Sequence, residues 1–299
     1  MFPIIPANTA AASFPENDEG IFGYGYAGGS LSMTNLVSNA GVVSSDVAGV
    51  GTVRHFATGC EYGGDKGIFG YGAGPVSVTN PVSNTGVVSS DVAGVGTARD
   101  GIMACSYGGD KGIYGYGSGG GYQSMTNLVS NTGVVSSDVA GVGTIRSKGA
   151  ACEYGGDKGI FGYGSATGPS PYSMTNLVSN AGVVASDVAG VGTARSAPAA
   201  CGYGGDKGIF GYGAWAALNS MTNLVSDVGV VSSDVAGVGS ARYGLAATQY
   251  GGDKGIFGFG ATGTEVSITN LVSNAGVVAS DQAATTGTVR RYIGACSFN

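Results

Sequence analysis

A phrase of ten residues, GGDKGIFGYG, recurs along this chain of 299 residues and constrains its fold more than any other feature. Successive copies are 45 to 49 residues apart, from the 45 between Asp65 and Asp110 to the 49 between Asp157 and Asp206. The aspartate of the phrase is found at Asp18, in a shorter first copy, and at Asp65, Asp110, Asp157, Asp206 and Asp253. Six copies with a period in this range are typical of a propeller or an array of repeats.

Each copy divides into four short apolar segments separated by turn residues. In the copy that follows Arg54, the segments are residues 57–62, 67–71, 76–82 and 87–91. The tight turns GGDK and SNTG separate the first from the second and the third from the fourth. Short apolar runs between such turns indicate β-strands rather than helices. We therefore predict four antiparallel strands per copy, here called a, b, c and d.

Strand b alternates large side chains with glycines. Phe69 and Tyr71 fall on one face, and Ile68, Gly70 and Gly72 fall on the other, since residues two apart share a face of a strand. Glycine weakens a strand unless its lack of a side chain is used. We therefore expect the aromatic rings of one copy to fill the space left by the glycines of its neighbour.

The two ends of the chain complement each other. The first copy starts at strand b, near residues 20–24, and the last stops after a single strand a within RYIGACSFN. Such complementary ends predict a closed ring, because closure leaves no unpaired strand at either end. The predicted fold is all-β, a six-bladed β-propeller of four-stranded antiparallel blades, closed by the C-terminal strand joining the N-terminal blade. Residues 16–299 form this one domain, and residues 1–15 form an arm outside the repeat.

Comparison of the six copies separates constant from variable segments. The a–b and c–d turns hardly change, whereas the b–c loops and the d–a crossovers differ in every copy. Both variable segments lie at the same end of an antiparallel blade, so one face of the ring is individual to each blade. Loops on a rigid scaffold are common binding sites. We predict that the variable face binds a partner through Tyr26, Phe56, Met103, Tyr122, Tyr172, Trp215, Tyr243 and Tyr292.

The repeated charged residues are expected to be structural. The aspartates of the GGDK turns satisfy local donors in such turns. The arginine that ends each copy is expected to bond to backbone carbonyls or to the strand-d aspartate across a blade junction. The arginines are Arg54, Arg99, Arg146, Arg195, Arg242 and Arg290, and the aspartates are Asp46, Asp91, Asp138, Asp187, Asp234 and Asp281.

Composition excludes several functions. The net charge of −6 is spread along the chain, which favours neither nucleic acid nor an anionic membrane as a partner. The N-terminal stretch lacks a basic segment and is short for a bilayer, so we expect no signal peptide and no membrane insertion. Five cysteines fall at one equivalent position in five of the six copies, which predicts small buried thiols made in a reducing cytoplasm rather than disulfides. We expect no metal and no cofactor.

Few residues are suited to catalysis. The single histidine, His55, lies in one variable crossover and is expected to be solvated. An enzyme with paired carboxylates would need a deep axial pocket. Asp100 and Glu265 are the carboxylates of the variable loops, and Glu61 and Glu153 are polar positions of strand a. We therefore predict a protein that is not an enzyme.

Residues 16–299 resemble kelch repeats. The resemblance rests on GIFGYG, from Gly67 to Gly72, and on GTAR, from Gly96 to Arg99. Kelch repeats usually carry a Gly-Gly pair after strand b and a tryptophan in strand d, where this chain has Gly-Tyr-Gly and Val87-Val88. The near-identical phrases DKGIFGYG and SMTNLVSN are also similar to propellers of tailed phages. That second resemblance implies a component of a virus or phage particle, or a host-attachment protein.

Three functions follow as alternatives. The first is a non-catalytic propeller that binds a protein of a virion or a host surface through its variable face. The second is a lectin that binds glycans in pockets related by the repeat, which would require repeated pocket residues. The third, an enzyme, is disfavoured by the shortage of acid–base groups.

Overall fold

The computed structural model describes residues 18–167, 171–283 and 287–298. Residues 1–15, for which an arm is predicted, lie outside the described residues. The described chain contains eighteen strands and no helix. In chain order the strands are β1 (Glu19–Tyr26), β2 (Ser30–Val37), β3 (Thr58–Tyr62), β4 (Lys66–Gly72), β5 (Val76–Val82), β6 (Met103–Tyr107), β7 (Lys111–Gly115), β8 (Thr126–Val129), β9 (Ala150–Tyr154), β10 (Lys158–Gly162), β11 (Thr175–Val178), β12 (Ala199–Tyr203), β13 (Lys207–Gly211), β14 (Thr222–Val225), β15 (Ala246–Tyr250), β16 (Lys254–Gly258), β17 (Thr269–Val272) and β18 (Gly294–Phe298).

These strands form six antiparallel sheets of three strands each. We number the sheets 1 to 6, with the orders β18-β1-β2, β3-β4-β5, β6-β7-β8, β9-β10-β11, β12-β13-β14 and β15-β16-β17. Each sheet thus contains the predicted strands a, b and c in that order. In sheet 2 the Gly63-Gly64 turn joins β3 to β4, with Tyr62 opposite Lys66. Both glycines have positive φ, of 70° and 81°, which explains why the tight turn uses them.

The prediction that strand d is a regular strand is wrong. In sheet 2 the segment touches β5 through only two isolated bridges, Val82 with Val88 and Thr79 with Val92. Part of its backbone is hydrogen-bonded by side chains instead: the side-chain amide of Asn80 donates to the carbonyl of Ser89 at 3.0 Å. The segment is therefore an irregular outer edge. Val87 and Val92 face outward and are 64% and 48% exposed, whereas Val88 packs against the core.

The first strands of the six sheets meet in cyclic order around an axis. Strand β3 contacts β6, β6 contacts β9, and the series continues through β12, β15 and β18 back to β3. The prediction that the C-terminal strand joins the N-terminal sheet is confirmed, because β18 pairs with β1 from Glu19 opposite Phe298 to Gly23 opposite Gly294. The six sheets thus have a propeller-like arrangement closed by the two ends of the chain.

Rings and glycines interlock between neighbouring sheets, as predicted. A Cβ atom at Gly70 of sheet 2 would lie 2.8 Å from Cζ of Tyr114 in sheet 3, and one at Gly23 of sheet 1 would lie 2.8 Å from Cζ of Phe69. The tyrosine after the glycine was expected in the regular strand, but Tyr71 has a φ of 60° and causes a shift in register. Its hydroxyl donates to the carbonyl of Val95 at 3.2 Å.

The repeated arginines join adjacent sheets, as predicted. Arg54 is fully buried, with its guanidinium 3.9 Å from the ring centre of Tyr24 in sheet 1. In sheet 2 it donates from Nε to the carbonyl of Tyr71 at 2.7 Å and from Nη2 to Asn80 Oδ1 at 2.6 Å. The Asn80 amide in turn donates to Asp91 at 2.9 Å. These residues therefore belong to the structure of the junction.

The five cysteines are free and buried, as predicted. They face the next sheet, where a Cβ atom at Gly112 would overlap Sγ of Cys60. Burial raises the pKa of the Cys201 thiol to about 12. These thiols are therefore protonated packing groups at neutral pH.

Candidate functional site

The two variable segments meet at one end of the sheets. The crossover residue Asp100 bridges Ser118 in the b–c loop of the same sheet, and Tyr26 likewise bridges Arg291. We call this end the variable face. It surrounds one mouth of the space enclosed by the six first strands.

Six equivalent crossover residues form a girdle at this mouth. All six have positive φ, between 51° and 63°, and most of their amides donate to the carbonyl of the girdle residue in the preceding sheet. The amide of Tyr292 donates to Gly244 at 2.6 Å, and the amide of Phe56 donates to Tyr292 at 2.8 Å. We call these residues the crossover girdle: Phe56, Gly101, Lys148, Ala197, Gly244 and Tyr292.

Aromatic side chains from sheets 6, 1 and 2 gather at one sector of the girdle. The rings of Phe56 and Tyr292 stack with their centres 4.0 Å apart. His55 lies 5.0 Å from Phe56 and 5.2 Å from Tyr26, and Tyr243 lies 5.8 Å from Tyr292. We call Tyr26, His55, Phe56, Tyr243 and Tyr292 the aromatic patch. Four of the eight predicted site residues are thus brought together.

Charged groups flank the aromatic patch. The Arg291 guanidinium lies 5.3 Å from the ring centre of Tyr292 and donates to the hydroxyl of Tyr243 at 2.9 Å. It also pairs with Glu265, at 3.6 Å between Nε and Oε1. From sheet 4, Lys148 places Nζ 5.0 Å from the ring centre of Phe56. The patch therefore combines flat apolar faces with charges of both signs.

His55 is not solvated as expected but packed within the patch. Its Nδ1 lies 2.9 Å from Ser30 Oγ. Burial lowers the pKa of His55, Asp100 raises it in part, and Arg291 and Lys148 lower it further. The imidazole is therefore neutral at pH 7. Burial and the neighbouring Tyr243 raise the pKa of Tyr292 to about 12, so its hydroxyl keeps its proton.

The other four predicted site residues lie apart from the patch. Met103 begins β6 and is only 1% exposed, which makes it part of the protein interior. Tyr122 and Tyr172 are half-buried in the b–c loops of sheets 3 and 4. Trp215 is 51% exposed in the loop of sheet 5. Sequence comparison identified the face but not which loops converge.

A cavity lies on the axis of the six sheets. It encloses a space of about 940 Å³, counting its open mouth, and all six first strands line it. The girdle residues Phe56, Lys148 and Tyr292 line it at the variable face. The fourth residues of the first strands lie toward its other end, and we call them the axial ring: Ser297, Glu61, Ser106, Glu153, Gly202 and Gln249.

Two carboxylates belong to the axial ring. Glu61 accepts a hydrogen bond from the Ser297 hydroxyl, and its amide donates to Ser106 Oγ at 3.3 Å. Burial raises the pKa of Glu153 well above its usual range, and the nearby charges of Glu61 and Asp157 raise it further. Both glutamates were expected only as polar positions of strand a. Their signal was the fourth position of the strand, which changes between Glu, Ser, Gly and Gln while the third and fifth positions hardly change.

The opposite face is regular and internally bonded. Each Asp-Lys turn from sheets 2 to 6 holds an ion pair, such as that of Lys111 with Asp110 at 2.6 Å. The Asn131 amide of the neighbouring turn donates to Asp110 at 3.1 Å. The amide of Gly63 donates to the carbonyl of Asp110 in the next sheet at 2.8 Å. The turn aspartates thus satisfy local donors, as predicted.

Within the described ranges, no group of three or more His, Cys, Asp or Glu side chains is placed to hold a metal ion. The same part of the chain contains no helix long and apolar enough to cross a membrane. Comparison with protein-family models and with curated proteins finds no match to this chain.

Proposed function

We propose that the chain is a six-bladed, kelch-like β-propeller that binds a macromolecular partner through its variable face without catalysing a reaction. In this proposal the six sheets are the blades. The outer segment of each sheet, with its two isolated bridges, takes the place of a fourth strand. A partner on a virion or a host surface fits the resemblance to phage propellers. Synthesis in a reducing cytoplasm fits the buried free thiols.

The backbone of Phe56 and Tyr292 is the observation that carries this proposal. Both residues have left-handed φ values, of 55° and 54°, which cost a side chain with a Cβ atom about 1–2 kcal/mol. Gly101 and Gly244 adopt the same conformation at equivalent positions without that cost. Lys148 and Ala197 share the left-handed conformation at two further positions, so what distinguishes Phe56 and Tyr292 is that their strained positions carry large rings that stack against each other. Strain of this kind is concentrated at functional sites.

The patch has the composition of a protein-binding anchor. Tyrosine and arginine are enriched among residues that dominate binding energy, because they combine apolar area with a polar tip. Arg291 contributes to the patch from the crossover that also carries Tyr292. The net charge of −6 fits a neutral or weakly basic partner.

A lectin remains the alternative, with less support. Pockets related by the repeat would use repeated residues, but the repeated Asn35, Asn80 and Arg54 are fully buried and bonded within blade junctions. They offer a glycan no accessible group. A glycan bound at the patch alone would use residues that the other blades lack.

The test is an affinity capture of partners from an extract of the protein's source material. Immobilised wild-type chain is compared with Phe56→Asn/Tyr292→Asn, which keeps a residue that tolerates left-handed φ. Trp215→Ala probes the rest of the variable face, and Lys111→Ala on the opposite face is the control. Proteins and glycans are identified by mass spectrometry in each eluate.

We expect one defined protein to be captured by the wild type and by Lys111→Ala, and lost in the double variant. Capture that survives the double variant but is lost in Trp215→Ala would move the site to the loop of blade 5. Capture of glycans that survives both would favour the lectin.

A further inference from the structure

Each sheet presents an outer edge whose backbone is only partly hydrogen-bonded. In sheet 1 the amide of Ser44 donates to the carbonyl of Leu36 at 2.8 Å, and the amide of Ser38 donates to the carbonyl of Val42 at 3.0 Å. Val43, between these two edge residues, therefore points its own amide and carbonyl away from β2, because backbone groups alternate in direction along an extended segment. We call the six edges the outer segments: residues 42–47, 87–92, 134–139, 183–188, 230–235 and 277–282.

The outward backbone groups are unpaired in every outer segment. Neither the amide nor the carbonyl of Val43 has a hydrogen-bonding partner among the described residues. The same two bonds frame the equivalent valine of each sheet, and within the described chain none of these valines has a partner for its outward groups: Val43, Val88, Val135, Val184, Val231 and Val278. A sheet edge with free groups of this kind can pair with a further strand.

An exposed valine precedes each outward pair of backbone groups. Val42 is 65% exposed, and a side chain so exposed adds little to the packing of one chain. The exposed position two residues earlier varies among alanine, threonine and valine, as at Ala40, Thr85 and Val228. The edge position, in contrast, is valine in all six copies and is 64% to 66% exposed in the other five: Val87, Val134, Val183, Val230 and Val277. This constancy points to a role outside the packing of a single chain.

The outer segments lack the features by which sheet edges avoid pairing. Lysine and proline are common protections of an edge, and none of the six segments contains either residue. In sheet 2 the single charged residue of the segment is Asp91, which accepts from the Thr52 hydroxyl at 2.6 Å and lies 4.0 Å from the guanidinium of Arg54. The edge therefore carries little uncompensated charge that would repel a second edge of the same kind.

We propose that the outer segments pair with one another between copies of this chain, so that the molecules assemble side by side through their sheet edges. Two edges can pair about a two-fold axis with Val43 opposite the Val43 of the second copy, since such an antiparallel pair exchanges two N–H···O bonds. The two Val42 side chains then lie diagonally across the new pair, on one face of it. Antiparallel pairing also means that the variable faces of two joined copies point in opposite directions.

The small size of one edge favours a second copy over a strand of another protein. Stable interfaces bury about 1,200–2,000 Å² in total, and a pair of six-residue edges buries much less. A single foreign strand would therefore bind weakly. A second copy brings six equivalent edges, so each molecule can have several neighbours, and the weak contacts reinforce one another in an array. We accordingly expect a monomer at low concentration and steep assembly above a threshold concentration.

Sedimentation velocity of the full chain, from low micromolar to millimolar concentration, measures this assembly. The expected result is a monomer that gives way to large species over a narrow range of concentration. A chain that stays monomeric throughout would overturn the proposal and leave the edges to a strand of another protein. A discrete dimer that adds no further copies would also contradict it, because six equivalent edges do not stop at one contact.

Amide hydrogen exchange shows whether the outer segments make the contact. The Val43 amide and its five equivalents should exchange at least tenfold more slowly in the assembled chain than in the monomer, because only assembly gives them an acceptor. Unchanged exchange at these amides, or protection confined to the variable face, would contradict the proposal. This comparison uses only the wild type, so it does not depend on the folding of a variant.

A matched pair of variants separates the edge from the overall charge. Val42→Lys, with the same change at its five equivalents, supplies the protective charge that the edge lacks and should abolish assembly. Ala40→Lys, with the same change at its equivalents, adds the same six charges in the turn before the edge and should still assemble. These control positions are Ala40, Thr85, Thr132, Ala181, Val228 and Ala275.

Thermal unfolding establishes that both variants are folded before their assembly is compared. Assembly that persists in the edge variant, or that is lost equally in both folded variants, would overturn the proposal. None of these results depends on a macromolecular partner at the variable face.

Discussion

At the scale of single residues, the junction between neighbouring sheets depends on a chain of bonds that begins at a buried arginine. Arg54 bonds to Asn80, Asn80 bonds to Asp91, and Asp91 accepts from the hydroxyl of Thr52 at 2.6 Å. The distance between Arg54 Nη1 and Asp91 Oδ1 is 4.0 Å, so the asparagine connects the two charges more closely than direct contact does. Removal of any one side chain from this chain of bonds should destabilise the junction, because it leaves a buried polar group unpaired.

Replacement of this arginine should be costly. We expect Arg54→Met to lower the free energy of unfolding by about 3 kcal/mol, since it leaves Asn80 Oδ1 and the Tyr71 carbonyl unpaired. Lys66→Met removes an ion pair whose lysine is 40% exposed, and should change stability by less than about 0.5 kcal/mol. Urea denaturation of both variants measures the difference. Equal effects would mean that the arginines do not hold the junction.

Replacement of a strand glycine tests the packing between neighbouring sheets. Gly70→Ala places a methyl group against the Tyr114 ring and should cost about 1–3 kcal/mol. Gly29→Ala, in an open loop with no atom within 4 Å, is the matched control and should be neutral within about 0.5 kcal/mol. Thermal unfolding of the two variants provides the comparison. A neutral Gly70→Ala would show that the ring does not occupy the glycine site.

At the scale of strands, the sequence predicted three of the four segments of each copy and the closure of the ring. Strand c was predicted at residues 76–82 and is β5, Val76–Val82. The fourth segment has the apolar pattern of a strand, yet side-chain bonds from Asn80 compete with its backbone ladder, and local pattern does not reveal such competition.

The closing strand offers a test by disulfide. Ile21 of β1 lies opposite Cys296 of β18, and Ile68 of β4 lies opposite Cys60 of β3. Ile21→Cys would close a loop from residue 21 to residue 296, whereas Ile68→Cys closes only residues 60 to 68. Loop-closure entropy then predicts that oxidation stabilises the first variant by about 3 kcal/mol more than the second.

Each of the two variants loses one buried isoleucine, so the change on oxidation isolates the effect of the loop. It is measured as the difference in unfolding free energy between the oxidised and reduced forms of each variant. Similar gains in both would indicate that the ends of the ring remain associated in the unfolded chain, or that β18 does not close it.

At the scale of the whole molecule, the six equivalent strand-d aspartates make the stability of the fold depend on pH. Burial raises the pKa of Asp138, but hydrogen bonds from Thr97 and Asn127 and the charge of Arg99 outweigh it and lower that pKa, and its five equivalents are lowered in the same way. The folded pKa lies below the unfolded value of about 4. These groups therefore stabilise the fold above pH 4, and that contribution is lost as the pH falls through the folded pKa.

We accordingly expect steep acid unfolding below pH 4, measured as the free energy of unfolding against pH. Asp138→Asn should lower stability at pH 7 and flatten the acid limb. An acid limb of unchanged slope in that variant would assign acid unfolding to other groups.

The binding site was predictable from the sequence only in part. Differences between copies showed which face is individual, but the convergence of Tyr26, Phe56 and Tyr292 depends on the closure of the ring and on a left-handed backbone. Neither is visible in loop composition. Glu61 and Glu153 line one cavity, which exists only once six distant strands have met around an axis.

The stability of Phe56→Asn/Tyr292→Asn is the measurement that tests most directly whether the patch serves binding rather than folding. Asparagine relieves left-handed strain of about 1–2 kcal/mol at each position. It loses ring stacking worth about 1 kcal/mol and the burial of two half-buried rings, worth about 1 kcal/mol each. We therefore expect a free energy of unfolding within about 1 kcal/mol of the wild type. A loss of several kcal/mol would contradict the proposal, because the rings would then be part of the core that holds the six sheets together.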